Sequence, residues 1–147
     1  MATTTDVMTQ KKGDKPVKTV GILVLLAGIV MILGGGATWA TVSSQLKAEN
    51  IVVAEDASMF AGKTVSGPLT AYAQAEVINK HALEATGGKT YAQLDREDPT
   101  RQTAMTASFL RASLFTSVVA YGVAAMAIGL GIVNILLGWA LGRVAKE

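Results

Sequence analysis

The sequence predicts an all-α membrane protein: a two-helix transmembrane hairpin with a small, mostly helical extracytoplasmic cap between the spans. Three observations lead there. Half of the 147 residues are apolar and only 16% are charged, which is too apolar for an ordinary soluble domain of this size. The excess is gathered in two runs, 19–42 and 114–141, that hold no Asp, Glu, Lys, Arg or His. Each exceeds the roughly 20 residues that cross about 30 Å of hydrocarbon. Both runs also carry small residues at a seven-residue spacing, the period that keeps one seam of a helix facing a partner.

Residues 1–18, "MATTTDVMTQKKGDKPVK", mix Thr, Lys, Gly and Pro without apolar periodicity and read as a disordered cytoplasmic tail. Its Lys11, Lys12, Lys15 and Lys18, with Arg143 and Lys146 in the short tail 142–147, place both termini in the cytoplasm by the positive-inside rule. A signal peptide is the rival reading of the first run, but a signal's apolar core is about 7–15 residues and this run is longer. Segment 43–113 balances seven basic against eight acidic residues, and long segments translocate largely regardless of charge. The net charge of +2 therefore comes from the tails, and no basic face points to nucleic acid.

Within 43–113, "SSQLKAEN" suits a helix running on past the bilayer surface, with Trp39 at the outer interface. "IVVAEDASMFAGKTVSG" reads as a loop or two short extended pieces. Pro68, after Ser66 and Gly67, starts a helix that Gly87 and Gly88 stop, with Ala71, Ala75, Ile78, Ala82 and Ala85 on one face. Thr90 caps a short turn in "KTYAQLDRED". One helix follows from about Pro99 to Val144; its part 99–113 is outside the bilayer and continuous with the second span. With no cysteine, this segment draws stability from the membrane helices or from partner chains.

Gly21, Gly28 and Gly35 repeat in the first span; Ser117, Ala124, Gly131 and Gly138 repeat in the second. In lipid, helices associate by close packing and interhelical hydrogen bonds, and small residues let backbones approach. The two stripes can pack on each other, or one can dock a neighbouring protein. Gly36/Ala40 and Ala125/Gly129 add small surface beyond one seam. Asn134, the strongly polar side chain deep in a span, is expected to make an interhelical hydrogen bond of roughly 1 kcal/mol.

Chemistry finds little to work with. His81 is the single histidine and there is no Cys, so a zinc or two-His iron site cannot be assembled from one copy. Glu76/Lys80 and His81/Glu84 can pair along a solvated helix face. No G-x-S-x-G elbow occurs, and "GGGATWA" sits inside an apolar run and not in a phosphate loop. No catalysis, no cofactor and no metal are expected. Tyr72 and Tyr91 are candidate ligand contacts.

The stretch 51–130, above all "INKHALEATGGKTYAQLDREDP" and "ASFLRASLFTSVVAYGVAAMA", resembles a group of small two-span membrane proteins of actinobacteria. Such proteins are often labelled aromatic ring-opening dioxygenases, a chemistry that needs an iron site for which this chain offers one His. The resemblance implies a helix-rich cap, two spans and a bacterial plasma membrane. His81, Asp95, Arg96, Asp98 and Arg101 then form a candidate docking surface on the cap. The function expected is a non-catalytic accessory protein that packs against a larger membrane complex; the alternative is a homo-oligomeric two-span channel or sensor.

Overall fold

Leucine, alanine and lysine favour helix, and the two charge-free runs contain no proline to break one. The computed structural model describes residues 15–145 and is mostly helical: α1 (Thr4–Ala48), α2 (Pro68–Ala85), a 3-10 turn (Tyr91–Gln93) and α3 (Arg101–Val144). α1 and α3 are both long and apolar enough to cross a membrane. Of the tail expected over 1–18, residues 1–14 lie outside the described residues, but Lys15–Lys18 are corrected to helix. Lysine is a good helix former, and the Thr19 hydroxyl donates to the Lys15 carbonyl at 3.0 Å. At the other end Gly142–Val144, read as tail, belong to α3, while residues 146–147 lie outside the described residues.

Each helix end has a local cause. α1 stops where Asn50 takes a left-handed φ of 52°, and its side-chain amide donates to the Ala48 carbonyl. α2 begins at Pro68, where the Thr70 hydroxyl accepts from the backbone N–H of Ser66 and Gly67. It ends on Gly87 and Gly88, both at positive φ, with the Gly88 N–H reaching back to the Leu83 carbonyl at 2.7 Å. The start expected at Pro99 moves to Arg101. Asp98 accepts from both the backbone N–H and the hydroxyl of Thr100, which holds Pro99 and Thr100 in a turn.

The chain divides into two compact units: Thr38–Gly122, and residues up to Ala37 together with those from Val123. In the central unit the stretch 51–67 forms two extended pieces joined by an antiparallel bridge, Val52 to Thr64, with Val53 donating to Lys63 O and Val65 donating to Ile51 O. This bridge presents Val53 and Val65 to the core, where both are fully buried beside Ala71, Ala75, Leu114 and Tyr121. α2 is buried on two flanks, Ala71/Ala75 and Ala73/Val77, where one face was expected; Ala85 is exposed. Alanine makes this double burial feasible, because a backbone with methyl side chains fits between neighbours on either side.

Candidate functional site

In the paired-helix unit the small residues of the two runs meet each other in one antiparallel register: Gly21 with Gly138, Gly28 with Gly131, and Gly35 with Ala124. A β-carbon on Gly28 would lie 2.6 Å from Gly131 O, and one on Gly138 would lie 2.6 Å from Gly21 O. Real β-carbons do not approach that closely, so the glycines are required by the distance between the two backbones. Ile32, Ile128 and Ile135 fill the spaces beside them. Ala124 is almost wholly buried. The half-buried Asn134 amide donates across the seam to Met31 Sδ at 3.5 Å, a weak acceptor that still gives it an interhelical partner.

A second set of glycines has open space around it. Gly34, Gly36, Gly122, Gly129 and Gly142 have no atom within 4 Å of where a β-carbon would stand. Ser117, the fourth member of the α3 repeat, belongs to the central unit and donates to Ser113 O of its own helix. It lines a half-open cleft of about 690 Å³ together with Val42, Leu46, Ile78 and Leu114 and the polar Gln45 and Glu49.

The candidate docking residues of the central unit fall into separate places. His81 Nε2 lies 2.9 Å from Asp56 Oδ2, and Lys80 Nζ donates to the same oxygen at 2.9 Å. Lys80 and then His81 hold the Asp56 carboxyl down at about 2, below the usual carboxylate range, while the shared bond raises Lys80. The pairs expected within the helix, Glu76/Lys80 and His81/Glu84, give way to this loop carboxylate. All three side chains are about half exposed, so water screens the cluster.

Arg101 and Asp98 form a different corner. The Arg101 guanidinium lies 4.2 Å over the Tyr91 ring and donates to the Tyr91 and Leu94 carbonyls, tying the 3-10 turn to the start of α3. Hydrogen bonds from Thr100 hold the Asp98 carboxyl below its ordinary value. Asp95 and Arg96 are exposed, and the Asp95 carbonyl accepts from the Asp98 N–H. Tyr91 is thereby committed to Arg101, and Tyr72 packs edge-on against Phe115 at 5.9 Å.

Two residues that sequence reasoning passed over organise the central unit. Asp56 is one. The other is Tyr121, whose hydroxyl lies 2.7 Å from Ser43 Oγ and donates to Ser66 O at 3.1 Å, while its ring meets Trp39 at 4.7 Å. A buried phenol needs a partner for its hydroxyl, so a tyrosine inside a charge-free run was the available signal. Among the described residues no group of three or more His, Cys, Asp or Glu side chains is placed to hold a metal ion. Compared with known proteins, the chain matches no family model, no curated protein and no solved structure.

Proposed function

We propose that this protein is a non-catalytic integral membrane accessory protein that packs against a larger membrane assembly. The observation that carries the reading is the division of the glycines. One set is consumed in the contact between α1 and α3, and a second set (Gly36, Gly122, Gly129) is left open on helices whose neighbouring Leu33, Val119, Val123 and Leu130 are exposed. Glycine in a helix interior costs about 1 kcal/mol relative to alanine, so a second set with no internal contact is accounted for by contact with another chain. On this reading α1 and α3 cross a bacterial plasma membrane with both termini in the cytoplasm, and segment 43–113 is the extracytoplasmic cap. The chain then belongs with the small two-span actinobacterial proteins it resembles.

Purification of the tagged protein from native membranes in gentle detergent, with mass spectrometry of what elutes, tests this. Reproducible recovery of a larger membrane complex, lost when Gly36 and Gly129 are both replaced by Leu, is the expected result. A homo-oligomer of this chain alone, with conductance in planar bilayers, would overturn it in favour of a channel.

A further inference from the structure

Arg111 carries the one buried side-chain donor without a hydrogen-bond partner among the described residues: its Nε is shielded from solvent and meets no acceptor. Its guanidinium lies 5.7 Å over the Phe115 ring, a contact with the π-face that leaves the N–H groups uncommitted. A shielded, charged N–H is costly to leave unpaired, so folded proteins supply it with a partner. The ion pairs among the described residues are Lys80–Asp56 and His81–Asp56, so no carboxylate among them pairs with Arg111.

Around Arg111 is a small pocket shared with Asn79, Lys89, Thr90, Tyr91 and Ser108. Its lining holds two cations, an amide and hydroxyls, and no acid. Asp98 exerts some pull on Lys89, but its carboxyl is already bonded to Thr100. The pocket volume of about 40 Å³ is roughly three times the 10–15 Å³ that one water needs. This suits a compact tetrahedral anion and is far too small for an acyl chain or an aromatic ring. The guanidinium fork matches phosphate oxygens two at a time, and Lys89 adds a point charge beside it.

We propose that Arg111, Lys89 and Asn79 bind a phosphate group. Its source is indicated by position: Arg111 is three residues, about 4.5 Å of helix rise, before the apolar run 114–141. If that run enters hydrocarbon, the pocket is level with the phosphates of lipid head groups, and an anionic phospholipid is its ligand. The lipid source thus rests on the membrane reading, whereas the phosphate chemistry rests on the pocket alone.

The test is native mass spectrometry of the full chain in detergent with added phosphatidylglycerol, phosphatidylcholine or inorganic phosphate. One phosphatidylglycerol per chain is expected, retained about tenfold more than phosphatidylcholine, because two cations with no acid beside them offer nothing to the choline ammonium. Arg111→Gln and Lys89→Gln should each weaken retention about tenfold or more, the effect of one lost charged hydrogen bond. Arg143→Gln should not. Arg111→Lys, which keeps the charge but loses the fork, should fall between. Lys89 is exposed, so its variant reports on binding even if an Arg111 variant fails to fold. Binding of inorganic phosphate that competes with the lipid and has the same variant sensitivity would assign the site to a soluble phosphate. Equal retention of both lipids by wild type and variants, with no phosphate binding, would overturn the proposal. Release of the chain from membranes by alkaline carbonate would instead refute the membrane reading, and the phosphate arm would still decide the pocket.

Discussion

The paired-helix unit and the central unit are built from the same two helices, yet they are held by different physics. In the first, backbone meets backbone: glycines of α1 face glycines or alanine of α3, and isoleucines fill beside them. In the second, large side chains reach inward from several elements onto Val53, Val65, Leu114 and Tyr121, and loop is tied to helix where the Tyr121 hydroxyl donates to Ser66 O and Gln74 Oε1 accepts from the Ala54 N–H. Packing without side chains suits surroundings where the hydrophobic effect gives helices no reason to associate, whereas a side-chain core suits water. The first unit should therefore resist loss of side-chain volume and fail on its gain, and the second should do the reverse.

The largest expected effect is in the central unit. Leu114→Ala removes a buried side chain and should lower stability by about 2–5 kcal/mol, read from denaturant or thermal unfolding in a fixed detergent. Gly131→Val acts on the other unit by addition: its β-carbon would stand 2.7 Å from Gly28 O, and the overpacking should cost about 1–3 kcal/mol by the same measurement. If Gly131→Val were neutral, the register described for the seam would be wrong. Tyr121→Phe keeps the ring against Trp39 but strips the bonds to Ser43 and Ser66, for a loss of about 0.5–1.5 kcal/mol.

Smaller effects sharpen the contrast. Gly129→Ala, on the open side of α3, should raise stability of the isolated chain by up to about 1 kcal/mol, opposite in sign to Gly131→Val two residues away. The slightest effect is electrostatic. Lys80 and His81 hold Asp56 at about 2, below the usual 3.8, so the cluster stabilises the fold above pH 3.8 and its contribution is lost as pH falls through about 2. Asp56→Asn should lower stability slightly above pH 3.8, leave it unchanged below about pH 2, and so flatten the acid limb of the unfolding curve between them; an unaltered acid limb would show that the cluster is not coupled to folding.

Much of this was legible before any coordinates. The glycine period announced the seam because a contact that repeats every two turns of a helix leaves its mark on one segment at a time. Pro68, the Gly87–Gly88 pair and Thr90 marked their boundaries because caps and breakers act through the nearest few residues. Pro99 suggests a start for α3 two residues before the observed Arg101, because the Asp98 side chain closes a turn around Pro99 and Thr100 that proline alone does not announce.

What the sequence alone determined is therefore whatever depends on local spacing: two apolar helices, their small-residue stripes, and the stops of the elements between them. Tertiary structure decided which stripe met which, that Asp56 and not a helix neighbour took Lys80 and His81, that α2 was buried on two flanks, and that Arg111 was left without a partner. Those outcomes depend on where residues tens of positions apart come to rest, and side chains such as Asp56 and Lys80 carry no periodic signal by which one could find the other.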